Sequence, residues 1–91
     1  MSKVVIYTQL GCKLSQQAKN LIATKGVNFD ERDITYDVLV KREMIELSGG
    51  RVITPQIFVD GRHIGGCDDL FHLDKKGLFG KSTVTKQKKA S

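Results

Sequence analysis

Val4-Val5-Ile6-Tyr7-Thr8-Gln9-Leu10-Gly11-Cys12-Lys13-Leu14-Ser15 is the stretch around which the chain is organised. Val4-Val5-Ile6-Tyr7 is a short apolar run that reads as a buried strand, covering about Lys3–Thr8. Leu14, Ala18, Leu21 and Ile22 follow at i, i+4, i+7 and i+8, which is one face of a helix. Cys12 therefore falls where a strand ends and a helix begins. The first N–H groups of a helix lack intrahelical acceptors, and the helix dipole adds partial positive charge there. A free thiol titrates near ~8.5, and a helix N-terminus with a nearby cation brings that to roughly 3.5–7.5. Lys13 is the nearest cation in sequence. On this reading Cys12 is a nucleophile. A cysteine beside an apolar strand is also often an inert small hydrophobe, and position alone leaves the two readings open.

Outward from this stretch, the first helix runs to about Thr24, with Gly26 as its C-terminal cap. Val27–Ile34 alternates apolar and polar residues and reads as a second, half-buried strand, so the first three elements form a βαβ unit with parallel strands. Thr35 or Asp37 caps a second helix, whose apolar face is Val40, Met44 and Leu47, and Gly49-Gly50 stops it. Gln56-Ile57-Phe58-Val59 is a third strand, Asp60-Gly61 a two-residue hairpin turn, and Arg62-His63-Ile64 a short antiparallel fourth strand. Asp68 or Asp69 caps a third helix through Leu70, Phe71 and Leu73, with Leu78-Phe79 packing back on the body. The order β-α-β-α-β-β-α predicts an α/β fold with one four-stranded mixed sheet flanked by three helices.

The chain of 91 residues accommodates one domain, 1–80, and a tail, 81–91. The formal charge of +5 belongs mostly to the tail, where Lys81, Lys86, Lys88 and Lys89 face no acid. Without aromatic residues that tail reads as solvated and disordered rather than as a nucleic-acid or lipid contact. No apolar run reaches the ~20 residues of a membrane span, and the first strand starts too early to leave room for a signal peptide. Two cysteines 55 positions apart are no disulfide framework, so a reducing, cytoplasmic setting is expected.

Two further stretches carry chemistry. Pro55 is the only proline, at the entrance to a strand. A cis bond there would turn the backbone of Thr54 towards a ligand, although a trans proline starting a strand is the commoner case. Gly65-Gly66-Cys67-Asp68-Asp69 opens the third helix. Its N–H groups suit a carboxylate and its aspartates an ammonium, although a plain glycine turn with an Asp cap is the commoner reading of such a stretch taken alone.

In this order the stretches resemble the glutaredoxins over about residues 3–79, most specifically in Thr54-Pro55-Gln56-Ile57-Phe58-Val59 and His63-Ile64-Gly65-Gly66-Cys67-Asp68-Asp69-Leu70. The resemblance implies the thioredoxin fold, a cis Pro55, and a groove for glutathione. Thr54 would pair by backbone with the cysteinyl part. Cys67 N–H, Asp68 and Asp69 would hold the γ-glutamyl end, and Lys41 or Arg42 the glycyl carboxylate. Lys13, Leu14 and Pro55 complete the implied glutathione-binding set, and His63 is a turn residue without a catalytic role. The sequence departs from the family in three places. Cys12-Lys13-Leu14-Ser15 stands where most members have Cys-Pro-Tyr-Cys, Gln9 stands where they often have Lys, and, unlike the monothiol branch that handles iron–sulfur clusters with Cys-Gly-Phe-Ser after a longer loop, the loop Gln9-Leu10-Gly11 is short like that of the dithiol branch. Ser15 cannot attack a mixed disulfide. The implied activity is thus a monothiol one, with Cys12 as catalytic residue of a glutathione-dependent thiol-disulfide oxidoreductase. Its substrates would be glutathionylated proteins or small mixed disulfides. It would act as a monomer, with no nucleic acid or membrane partner. An alternative is a homodimer in which two Cys12 thiolates and two glutathiones ligate a [2Fe–2S] cluster. A third is a member that has lost its chemistry and binds a partner.

Overall fold

The computed structural model of the chain describes residues 3–77 and residue 79. The elements are β1 (Val4–Thr8), α1 (Lys13–Thr24), β2 (Phe29–Asp33), α2 (Val38–Leu47), β3 (Gln56–Val59), β4 (Arg62–Gly65) and α3 (Cys67–Lys75). The sheet order is β2-β1-β3-β4. β1 pairs parallel to β2 and antiparallel to β3, and β3 pairs antiparallel to β4. This is the predicted element order and the predicted mixed sheet. The second strand is shorter than expected, starting at Phe29 rather than Val27.

Side chains alternate across the sheet because the strand period is two. Val4, Ile6 and Ile57 join Ala18, Ile22, Leu70 and Phe79 in one buried cluster. Tyr7 and Phe58 join Ile34 and Met44 in the other. α1 and α3 thus cover one face and α2 the other. Ile6, Ile22, Ile57 and Leu70 are wholly buried, and each such side chain contributes about 1.5–3 kcal/mol relative to exposure. Phe79 lies beyond the last helix and is as buried as the strands, so the packing back of this segment holds at Phe79. Leu78 and the tail 81–91 lie outside the described residues.

Three details of the helices differ from the sequence reading. Leu14 is exposed and Ser15 is buried in its place, so the inner face of α1 is Ser15, Ala18 and Ile22. Leu47 is exposed, and Ser48 beyond the helix end turns inward instead. α3 is capped by Gly66 rather than by an aspartate, and Asp69 reaches back to accept from the Gly66 N–H at 3.0 Å. The Asp37 cap of α2 is as expected, accepting from Leu39 and Val40 N–H. Asp60 and Gly61 both have positive φ, the backbone a two-residue hairpin needs. His63 lies in β4, as the strand pattern predicts, and not in the turn that the resemblance implies. No helix among the described residues is long and apolar enough to cross a membrane.

Burial of Phe79 against β1 and α1 sets a stability expectation. Phe79→Ala should cost about 3–5 kcal/mol, read as a fall in the urea midpoint at unchanged slope. A loss below about 1 kcal/mol would show that this segment is not part of the core.

Candidate active site

Cys12 is the N-cap residue of α1, with extended backbone (φ −85°, ψ 110°). Its N–H donates to the Gln9 carbonyl at 3.1 Å, which closes the short loop and sets the cysteine at the helix entrance. As a thiol it makes no side-chain cap. Its Sγ–H points instead to the Thr54 carbonyl oxygen at 3.6 Å. Burial opposes ionisation of Cys12, but the Ser15 hydroxyl, Thr54, and the backbone N–H groups of Ser15 and Leu14 outweigh it and bring the thiol below its ordinary value. The Ser15 hydroxyl is 1% exposed and has no partner while Cys12 is a thiol. The thiolate is the acceptor that it and the first-turn N–H groups lack. Lys13, the cation expected to help, is not among the largest influences on Cys12.

Thr54 and Pro55 are buried and joined by a cis peptide bond. Gly66 packs so close to them that a Cβ there would lie 3.4 Å from the Pro55 carbonyl oxygen. Cys67, the first residue of α3, is buried. Burial first, then Asp68 and the Cys12 sulfur, push its thiol up. Cys12, Thr54, Pro55, Gly66 and Cys67 therefore form one surface, and of its two free thiols Cys12 is the half-buried, acidic one. The Cys67 and Asp68 N–H groups, in the first helical turn, have no intrahelical acceptor. Asp68 is exposed beside them. Asp69 is exposed too, but one carboxylate oxygen is taken by the Gly66 N–H. It also fills the space over Gly65, where a Cβ would come within 2.2 Å of Asp69 Oδ2.

Lys41 and Arg42 stand exposed on α2, and no side-chain hydrogen bond or ion pair among the described residues joins either to Cys12. Leu14, two residues after Cys12, is exposed, as are Leu10 and Ile53. On the opposite flank a cleft of about 300 Å³ runs from Cys12 and Lys13 past Ser15 and Lys19 to Glu31. There the Glu31 carboxylate accepts from Thr8 Oγ1 at 2.7 Å and from Lys19 Nζ at 3.0 Å. Sequence reading saw in Ser15 only a missing thiol. Its place three residues after an N-cap, where side chains face the cap, was the available signal for a donor.

A glutaredoxin family profile matches residues 4–64. Glutaredoxin 3 of Escherichia coli (strain K12) is 48% identical over 77 residues, 85% of this chain and 92% of its own. The solution structure of glutaredoxin from Brucella melitensis superposes with a TM-score of 0.75 at 42% identity, covering 88% of this chain and 86% of that one. A structure described as metal binding of glutaredoxins has a TM-score of 0.66 at 41% identity, covering 90% and 88%.

The lowered Cys12 value carries a pH expectation. Alkylation rate follows the thiolate, so it rises with pH and levels off above the folded pKa. A lowered pKa moves that rise below the ~8.5 of a free thiol. Ser15→Ala removes a donor to the thiolate and should move the midpoint back up. Mass spectrometry of iodoacetamide-treated native protein should place the label on Cys12 before Cys67. A midpoint at the free-thiol value, or unchanged in the variant, would refute the donor role.

Proposed function

Because the chain belongs to the glutaredoxin family of glutathione-dependent thiol oxidoreductases, we propose that it reduces glutathione mixed disulfides by a monothiol mechanism through Cys12. The observation that carries this is the half-buried Cys12 thiol, lowered by hydrogen-bond donors, with Ser15 in place of a second thiol. The Cys12 thiolate attacks the glutathione sulfur of a mixed disulfide. The Cys12–glutathione disulfide forms, the old disulfide breaks, and the other thiol leaves as a thiolate that takes a proton from water. A free glutathione thiolate then attacks that glutathione sulfur. Glutathione disulfide forms and the Cys12 thiolate is released. Rate rises with thiolate fraction and with a lower leaving-group pKa, so the Ser15 hydroxyl and the Leu14 and Ser15 N–H groups serve both steps.

In the glutathione groove, Thr54 and Pro55 offer backbone to the cysteinyl part. The free N–H groups of Cys67 and Asp68 take the γ-glutamyl carboxylate, and Asp68 takes the ammonium. Asp69 acts by holding the helix entrance through Gly66. Lys13 and Leu14 flank the sulfur, and Lys41 supplies a charge for the glycyl carboxylate. Glutathionylated proteins or small mixed disulfides are the substrates, in a reducing cytoplasm.

A second reading draws on the metal-binding relative. Cys12 would ligate a [2Fe–2S] cluster shared with a second chain and two glutathiones. The described residues hold no group of three or more His, Cys, Asp or Glu able to bind a metal, and in this reading the ligands beside Cys12 come from the second chain and the glutathiones. A visible absorption spectrum after anaerobic reconstitution with glutathione separates this reading from the first.

Cys12→Ser should abolish turnover of a small glutathione mixed disulfide, and Cys67→Ser should retain it; equal loss from both would end the single-thiol mechanism. Ser15→Cys places a thiol one turn beyond Cys12. Mild oxidation should then remove two hydrogens from the chain, seen by intact mass, and glutathionylated Cys12 should be diverted into the internal disulfide, lowering turnover. Two thiols that stay free would show that positions 12 and 15 do not face each other.

A further inference from the structure

Gln56 is wholly buried, and a buried amide must be hydrogen-bonded or it costs stability. Its Nε2 donates to the Ile53 carbonyl at 3.0 Å. Its Oε1 accepts from His63 Nε2 at 2.7 Å. The carbonyl at one end fixes the amide's orientation, so His63 must donate from Nε2. The His63 ring lies 5.0 Å from Phe58, centroid to centroid. Burial first and then Arg51, from the loop after α2, keep the imidazole below its ordinary value, against Asp69 from α3. His72 of α3 and Lys76, its C-cap, line a cleft together with His63.

What this pair holds is the segment before the cis bond. Its side chains do not anchor it, since Arg51, Val52 and Ile53 are all exposed. Its main chain is tied at Arg51, whose N–H donates to Ser48 Oγ at 3.1 Å, and at Ile53 by Gln56. The second tie is one residue from Thr54, whose carbonyl receives the Cys12 thiol.

We propose that Gln56 and His63 are positioning residues of the reactive site: through the Ile53 carbonyl they hold Thr54–Pro55 against Cys12 and keep the backbone edge of the groove in place. The groove part rests on the reading of glutathione turnover, and the contact with Cys12 does not. Loss of the His63 donor leaves Gln56 Oε1 unpaired in the interior. The amide then turns or shifts, and Ile53 and Thr54 shift with it.

The test uses the full chain with His63→Phe, which keeps a ring on Phe58 without the donor, and His63→Gln, whose amide nitrogen replaces Nε2. His63→Phe should raise KM for a small glutathione mixed disulfide roughly three- to tenfold, the scale of one hydrogen bond, with kcat less affected. It should also move the pH midpoint of Cys12 alkylation upward, because the side chain of Thr54, displaced with its backbone, is one of the groups that lower it. His63→Gln should restore both. Gln56→Met should reproduce the His63→Phe shifts and serves if that variant does not fold. A merely structural pair would lower the unfolding temperature and leave KM and the midpoint of the folded protein unchanged. That outcome, or a His63→Gln as impaired as His63→Phe, overturns the proposal. If the wild-type chain turns over no mixed disulfide, the alkylation arm alone decides whether the pair positions Thr54 against Cys12.

Discussion

The antiparallel pairing of β1 with β3 is the constraint on which the rest depends. Ile6 opposite Ile57 and Tyr7 opposite Gln56 bring the end of β1 level with the start of β3. The chain leaving β1 enters the Cys12 loop, and the chain entering β3 arrives through Thr54-Pro55, so the thiol and the cis bond meet although 42 residues separate them. β4 runs antiparallel to β3 and ends at the same edge, where Gly65-Gly66 starts α3. β2 is parallel to β1 and also ends there, with Ile34 N–H donating to Thr8 O at 2.9 Å. A one-residue slip of β1 on β3 would move Ile6 from the α1–α3 face to the α2 face and pull the two loops apart. The wholly buried Ile6 and Ile57 are thus what fixes the active-site geometry.

The second cluster fixes α2 more weakly. Glu43 of α2 accepts from Tyr7 OH and pairs with Arg32 at 2.9 Å. Burial first, then Glu43, raise the Tyr7 hydroxyl to about 12, so it stays a donor. Both members of the ion pair are about two-fifths exposed, and such pairs contribute roughly 0–1 kcal/mol. Met44 and Phe58 hold the helix, and the polar triad sets its rotation over the sheet. The Tyr7 bond and then Arg32 hold the Glu43 carboxyl below its usual range, with burial opposing. What this adds to stability is present above the unfolded carboxylate pKa and fades as pH falls through the lowered folded value.

Much of this was legible in the sequence. Hydrophobic periodicity, the Asp37 cap and Asp60-Gly61 were enough to order the seven elements, because each is a local signal. Leu14 misled for a physical reason. An apolar residue at i, i+4 looks inward, yet α1 is rotated so that Ser15 takes the inner position and Leu14 is exposed. Leu47 misled in the same way at the end of α2. The cis bond came from resemblance, since cis is the rarer state of any one X–Pro bond. The Gln56–His63 pair was not legible at all. Two polar residues in neighbouring strands read as ordinary strand composition, and only the β3–β4 hairpin with its bulge between Ile57 and Phe58 turns them toward each other.

The serine at position 15 bears on the proposed chemistry through what its donors do for Cys12. An N-cap side chain accepts from N–H groups two and three residues on. With sulfur at the cap, Leu14 and Ser15 N–H stand where those donors belong, and the buried Ser15 hydroxyl adds a third. A thiol at this place is a weaker donor than a hydroxyl, so serine favours the Cys12 thiolate more than cysteine would. Under the proposed monothiol mechanism, the serine also means that no thiol at position 15 resolves a mixed disulfide from within. In the proposed mechanism the same residue therefore favours the nucleophile and leaves its release to an external thiol, while the antiparallel register sets Thr54 beside Cys12.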